Sequence, residues 1–455
     1  MKRKCYTIIN IKNCFYFFLY IFLNIFVFSK FKTFINKNYM KMTYFSSSKF
    51  RIKSFILVIY ILIVFLSEKF YRSYLFNKSI DIEKKIYENT SYITINIFKI
   101  ITNFGTITIL IPLVIIIHLL LPINISYTFL SVLILSCYFD NILKIIYSNP
   151  RPFWIEPSIK KECDGGFGNP SGHSFTSFST YLSLWNIIIE RPFFENKKFL
   201  KIILFIIFFI FSFLIALSRI YLSVHSINQI LFGFCLGLSL YYLLFYIIEL
   251  NSNDSNQLYY SISNLYKFIL WGFILIIISC VPYFFIHPDS FKINEYDKNL
   301  QMKCPGYPNI KKFEHESFTC IFSFIFVITS FIGCYVEFYY IFHNNISNWK
   351  RYNFNYDADN EINLLEDNID NKNKRWNDTD LIKSLKRLVF ICLVIGIIMI
   401  PYFIIPMNLS YSFILIFKII IPVSFVTFLM FSYLKRICGK FDLINENILN
   451  NSIDV

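Results

Sequence analysis

The sequence predicts an all-α, polytopic transmembrane helical bundle, and three observations carry that prediction. Of its 455 residues, 56% are hydrophobic, 20% aromatic and only 16% charged, a balance foreign to soluble globular chains. Apolar runs long enough to cross a bilayer recur along the chain, since about 20 helical residues span roughly 30 Å of hydrocarbon. Lys and Arg concentrate between those runs, where positive charge fixes topology or meets anionic headgroups.

In chain order, residues 1–53 form a basic N-terminal segment. Within it the run 14–29, CFYFFLYIFLNIFVFS, follows Lys2, Arg3 and Lys4 and has the charge pattern of a signal peptide or signal anchor. No small-residue cleavage site follows it, which favours an anchor. Six apolar runs come next, at 54–70, 105–121, 126–147, 174–190, 200–217 and 228–249, so 54–249 reads as a six-helix core. Four further runs, at 267–286, 318–341, 388–405 and 411–434, fall in a C-terminal part, 250–455. Its stretch 344–387 is rich in Asn, Asp and Lys, lacks apolar periodicity and reads as a loop.

The net charge of +15 resides mainly in these connecting segments, so it points to the membrane and not to nucleic acid. The 11 Cys include no CxxC pair, and Cys137, Cys235, Cys280, Cys334 and Cys392 fall inside apolar runs, where a thiol behaves as a small apolar group. No zinc site is expected.

Charge within or beside a span is costly and marks functional candidates. Three such clusters stand out. The third run ends in DNILKIIYSNPRPFW, with Asp140, Lys144 and Arg151; the fourth opens on NPSGHS; the link from the fifth to the sixth reads SRIYLSVHSINQ, with Arg219 and His225. Spans alternate in direction, so all three clusters reach the same membrane face. Asp140 stands one helical turn before Lys144, where a local ion pair is as good a reading as a catalytic device. Cys163 and Cys304 also fall on this face, and sequence alone leaves their pairing open.

The converging groups suit a tetrahedral oxyanion. Arg binds phosphate bidentately, Lys adds a point charge, and backbone N–H groups at a helix start receive the remaining oxygens. Gly172 keeps that backbone accessible, and Pro170 suits the turn before the helix. Two His in a phosphate site suggest a division of labour in which one attacks phosphorus and the other protonates the departing oxygen. Three cationic side chains already neutralise the transferring group, so neither metal nor other cofactor is expected.

Lys144 with six residues before Arg151-Pro152, then Pro170-Ser171-Gly172-His173, then Ser218-Arg219 with five residues before His225, resembles the three-part signature of the type 2 phosphatidic acid phosphatase (PAP2) superfamily. That superfamily includes lipid phosphate phosphatases, glucose-6-phosphatase, sphingosine-1-phosphate phosphatases, dolichyl diphosphatase and vanadium haloperoxidases. The resemblance covers roughly residues 54–249, and ITNFGT at 101–106 resembles a further family element. One motif alone is weak; three in order with correct spacing are highly specific.

The resemblance implies that His225 is the nucleophile and His173 the general acid, with Lys144, Arg151 and Arg219 holding phosphate and Ser171 and Gly172 adding hydroxyl and backbone donors. The chain departs from the pattern at Gln229, where an Asp is usual. A Gln four residues after His225 shares its helical face and its amide oxygen can accept the imidazole N–H, but it lacks the charge that steadies an imidazolium, so slower turnover is expected. The implied function is a metal-independent phosphatase acting on a phosphatidic acid-like lipid through a phosphohistidine. Polyprenyl diphosphate, sphingoid-phosphate or sugar-phosphate hydrolysis, or non-catalytic lipid binding or transport on the same core, remain as alternatives.

For orientation, Lys30, Lys32, Lys37, Lys41, Lys49, Arg51 and Lys53, the basic residues 191–201, and Lys435, Arg436 and Lys440 all fall on the face opposite the clusters. Positive charge on that face predicts a cytosolic orientation for it and an extracytoplasmic or lumenal site, in an endomembrane or the plasma membrane. A crossing at 14–29 with Lys2 to Lys4 inside would reverse the assignment.

Overall fold

The computed structural model describes residues 48–120, 123–159, 161–190, 192–247, 265–286, 290–344 and, in part, 385–437. The run 14–29, nearly all of 344–387 and most of 388–405 lie outside the described residues. Every regular element among the described residues is helical: α1 (Ser48–Asn89), α2 (Tyr92–Asn103), α3 (Ile107–Leu120), α4 (Ile123–Tyr147), the single turn α5 (Pro152–Ile155), α6 (Gly172–Ile189), α7 (Lys198–Tyr221), α8 (Ile227–Tyr242), α9 (Leu265–Phe285), α10 (Ser290–Lys303), α11 (Ile310–Ile321), α12 (Ile325–Asn344) and α13 (Ile421–Ser432).

The ten apolar runs take different forms among the described residues. Stretches at Arg51–Asn89, Ser126–Ile155, Lys198–Tyr221 and Ile227–Phe245 are long and apolar enough to cross a membrane, with shorter apolar helices at Gly272–Phe285, Ile325–Val336 and Ile421–Ser432. The chain is an integral membrane protein. Helix α1, at 42 residues, is about 60 Å long at 1.5 Å per residue, far beyond the run 54–70 that the apolar pattern marks. Helix α3 has only 14 residues and contains Pro112.

Helix α6 lies between α7 and α8 yet is too polar to count as a span by hydropathy, because Ser174, Thr176, Ser177, Ser179, Thr180 and Ser183 are all buried in it. Those hydroxyls cost little because they find carbonyls close by. Thr180 bonds Thr176 O at 2.6 Å and Ser183 bonds Ser179 O at 2.6 Å within the helix, while Ser174 reaches Ile230 O of α8 at 3.0 Å and Ser212 of α7 reaches Ser177 O at 3.3 Å. Small residues on the partner complete the fit. A Cβ at Gly233 would lie 2.6 Å from Ser171 O, and one at Gly237 2.8 Å from Phe175 O, so this GxxxG spacing lets α8 meet the α6 backbone directly.

Helix α7 shows the membrane-facing solution. Phe199, Ile202, Ile206, Ile207, Ile210 and Phe213 are exposed, whereas Ser212, Ile215, Ala216, Ser218 and Arg219 are buried. An exposed apolar face of this kind suits hydrocarbon, and the buried face carries the polar groups inward.

The chain divides into two compact units: Met1–Gly105, Phe139–Glu249 and Ile278–Phe318 form one, and Thr106–Tyr138, Leu250–Ile277 and Thr319–Val455 the other. Residues 106–138, which lie inside the stretch of six apolar runs, fall in the second unit, and residues 278–318 group with the first. Two interactions account for that. Leu300, Cys304 and Ile310 pack into an apolar cluster with Phe153, Trp154, Phe167, Leu222 and Val224, and a disulfide joins Cys163 to Cys304 across 141 residues. Asn299 also bonds Trp154 O at 2.7 Å, so α10 lies over the single turn that follows Arg151. In the other unit α12 packs on α13, with Thr329 and Thr427 sharing a hydrogen bond and the Tyr127 and Phe331 rings 4.5 Å apart.

Candidate active site

The three motifs lie at helix ends within the first unit, and local backbone turns them toward one another. Helix α4 ends at Tyr147 and α7 at Tyr221; the next turns contain Ser148 (φ 45°) and Ser223 (φ 57°), both in the left-handed region that side-chain-bearing residues seldom occupy. These turns deliver Arg151 and His225. The PSGH turn is held by Ser171 N donating to Gln229 O at 3.0 Å and Gly168 N to Asn149 O at 2.8 Å, so each motif's backbone rests on another's.

Arg151 is the hub. Its guanidinium is 2% exposed; Nε donates to Gly166 O at 2.8 Å, Nη2 to Gly165 O, and Nη1 to Val224 O at 3.0 Å. Nη1 is also 3.1 Å from Asp164 Oδ2 and 3.2 Å from His225 Nε2. The sequence assigns Arg151 to phosphate alone. In the structure most of its donors are engaged by backbone carbonyls, and it ties the 164–168 loop to the 222–226 loop.

His225 is 1% exposed, and its Nδ1 faces two acceptors, Gly168 O at 2.9 Å and Gln229 Oε1 at 3.1 Å. Two oxygens at Nδ1 assign the proton there and leave the lone pair on Nε2. Burial, reinforced by Arg151 and Arg219, pushes this imidazole well below its usual range, although Asp164 pulls the other way. Gln229 does more than face the ring: Oε1 accepts from Ser226 N at 3.2 Å and Nε2 donates to Pro150 O at 2.8 Å. A carboxylate could not make the second bond, so the amide fits its surroundings as the usual Asp would not.

The remaining sequence candidates gather nearby. Lys144 Nζ pairs with Asp140 Oδ2 at 2.8 Å, and a Cβ on Gly172 would lie 3.1 Å from that Nζ and 2.5 Å from that carboxylate oxygen. Glycine at 172 therefore lets the α6 start meet the α4 ion pair. Arg219 Nη1 donates to Thr102 Oγ1 at 2.7 Å and Nη2 to Asp164 Oδ2. His173, half-buried, lies within electrostatic reach of Arg219, Asp164, Lys144 and Arg151, and a Cβ at Gly105 would be 3.1 Å from its Cδ2. The ITNFGT element thus supplies Thr102 to one motif and Gly105 to another. Two buried donors, Arg219 Nε and Ser171 Oγ, have no hydrogen-bond partner. Such a set can hold a multiply charged oxyanion beside an imidazole nitrogen.

Sequence reasoning missed two groups here. Asp164, in the loop before PSGH, is paired with both arginines; burial alone would raise its carboxyl, but Arg151 and Arg219 outweigh that and hold it well below the usual carboxylate range. Glu68 of α1 is fully buried, is gripped by Arg72 one turn on, and accepts from Asn169 Nδ2 at 2.9 Å, fixing the residue before Pro170. The signal for Glu68 was present: a carboxylate inside the run 54–70 has to be explained. Asp164 gave none, since a loop Asp is ordinary.

Comparison with known proteins follows this geometry. The sequence model of the PAP2 superfamily matches residues 126–253. Dolichyldiphosphatase of Saccharomyces cerevisiae is 30% identical over 112 residues, 24% of this chain and 46% of that protein. Phosphatidylglycerophosphatase B of Bacillus subtilis is 34% identical over 80 residues, 18% of this chain and 38% of that protein. The chain spans less than half the length of these curated relatives. The crystal structure of a transmembrane PAP2-type phosphatidylglycerolphosphate phosphatase from Bacillus subtilis is similar over 42% of this chain and 96% of that one, at 23% identity and a TM-score of 0.38. The stretch that matches the PAP2 superfamily model, residues 126–253, holds all three motifs.

Proposed function

We propose that the protein is a membrane-embedded, metal-independent phosphatase that hydrolyses a phosphomonoester of a lipid through a phosphohistidine on His225. The observation that carries this reading is the His225 imidazole: Nδ1–H is committed to Gly168 O and Gln229 Oε1, while Nε2 stands 3.2 Å from Arg151 Nη1 inside a cationic cluster. In the first step Nε2 attacks phosphorus and the P–O bond to the lipid breaks; His173 gives its proton to the departing oxygen. In the second step water attacks phosphorus and the P–N bond breaks; His173 takes the water proton, and phosphate leaves as Nε2 regains its lone pair. Lys144, Arg151 and Arg219 hold the phosphoryl oxygens, with Ser171 Oγ and the Gly172 backbone as further donors. Gln229 and Gly168 together fix the tautomer, so the missing Asp charge is offset in part by a second acceptor.

A lipid is favoured because the site lies at helix ends beside an apolar, outward-facing α7, where a tail can remain in hydrocarbon. A polyprenyl diphosphate is the second reading, supported by the dolichyldiphosphatase relative. The Cys163–Cys304 disulfide, beside Asp164, supports placing this face in an oxidising compartment, outside the cytosol.

Three outcomes are expected. In detergent with EDTA, wild type releases phosphate from phosphatidic acid or a polyprenyl diphosphate, and His225→Ala lowers that release by about 10³-fold or more; equal release by the two proteins, or none from any lipid phosphate, would refute the reading. The acid limb of kcat/KM falls below pH 6.5, the ordinary imidazole value, because His225 must be neutral to attack and its folded value is depressed. Activity rises as pH passes that depressed value and falls again on the alkaline side where His173 loses the proton it donates; an acid limb at or above 6.5 contradicts the account. In sealed cells, a membrane-impermeant reductant followed by an impermeant maleimide labels Cys163 and Cys304 if they face the exterior; for an endomembrane location, sealed microsomes protect both until permeabilised. Labelling of both as free thiols from the cytosolic side would reverse the orientation.

A further inference from the structure

Asp164 lies outside all three motifs, yet its carboxylate touches two of them. Oδ2 accepts from Arg151 Nη1 at 3.1 Å and from Arg219 Nη2, and the same Nη1 is 3.2 Å from His225 Nε2. One carboxylate oxygen therefore bridges two guanidinium groups next to the nitrogen proposed to attack, which is where an oxygen of a bound phosphoryl group would lie. The partners are not equally free to move. Arg151 is pinned by Gly165, Gly166 and Val224 carbonyls and Arg219 by Thr102, at 2% and 3% exposure, whereas the Asp164 side chain is 30% exposed. The Asp164 loop continues into Gly165 and Gly166, the latter with φ 76°.

We propose that Asp164 is the resting occupant of the oxyanion seat, a built-in competitor that every phosphoryl group has to displace from the two guanidinium groups before it binds. This rests on the phosphatase reading above. The arginines stay in place, and the carboxylate swings to solvent as the phosphoryl group enters. A phosphodiester brings one negative charge and displaces one, so it gains little from the guanidinium pair. A phosphomonoester brings nearly two at neutral pH and has three non-bridging oxygens, enough to reach donors that one carboxylate oxygen leaves unpartnered, such as Arg219 Nε and Ser171 Oγ. A competitor already in the seat keeps it closed to weakly held anions. It also speeds product release, because Asp164 returns as the phosphate departs.

The test is Asp164→Asn, nearly isosteric, compared with wild type in detergent. Binding of inorganic phosphate and of diethyl phosphate, a soluble diester, is measured directly by titration calorimetry and as competitive inhibition of lipid phosphate hydrolysis. The variant is expected to bind both anions more tightly, by about tenfold each, because the cost of displacing the carboxylate is common to both. Weaker phosphate binding by the variant, with wild-type turnover intact, would show that the carboxylate merely holds the arginines and would overturn this inference alone. Unchanged affinity for both anions overturns it as well. If wild type binds no phosphate and hydrolyses no lipid phosphate, the phosphatase reading fails and takes this one with it. Calorimetry needs no turnover, and a thermal melt with the Cys163–Cys304 bond verified shows that the variant is folded.

Discussion

The buried guanidinium of Arg151 is the constraint on which the site's architecture depends. A cation out of water is tolerated only where its donors are satisfied, and removing its partners would leave an uncompensated charge in the interior. Here the partners are backbone carbonyls of Gly165, Gly166 and Val224, so the loop before PSGH and the turn before His225 have to close around one planar group. The planar fork of Arg fits that arrangement, and a Lys point charge would not. Trp154, Phe153 and Phe167, packed with Leu300 and Ile310, seal the same region from outside. The cationic character of the site and its rigidity thus have one origin.

That constraint changes how Gln229 is understood. By sequence it is a weakened version of an Asp, one charge short of what an imidazolium wants. In the folded chain the Arg151-bound loop brings Gly168 O to 2.9 Å from Nδ1, closer than the Gln229 oxygen at 3.1 Å, and the amide nitrogen holds Pro150 O. Orientation of the ring is shared between a backbone carbonyl and a side-chain amide. The cost is that neither neutralises a positive ring.

Much of the candidate site was legible in the sequence because its residues are of types that the membrane makes expensive. Lys144, Arg151, His173, Arg219 and His225 stand out against apolar runs, and strict spacing with alternating spans places them on one face. The fold class was legible for the same reason. What was not legible depends on contacts between distant segments with ordinary composition. The grip of Glu68 on Asn169 spans 101 residues, and α10 joins the core through Cys304, Asn299 and a few apolar side chains. The polar α6 reads as a span from its apolar residues, and its buried hydroxyls are satisfied by carbonyls of its own turns and of the helices packed on it. Helix α2 escaped notice because 12 residues are too few to cross a bilayer.

The central claim, that His225 Nε2 forms a bond to phosphorus, is tested most directly by rapid quench. Wild-type protein is mixed in detergent with phosphatidic acid labelled in its phosphate, stopped in alkali within milliseconds, and the label located by peptide mapping. The account predicts an alkali-stable, acid-labile label on the peptide bearing His225. Turnover at full rate with no such label, or with the label on another residue, would contradict it.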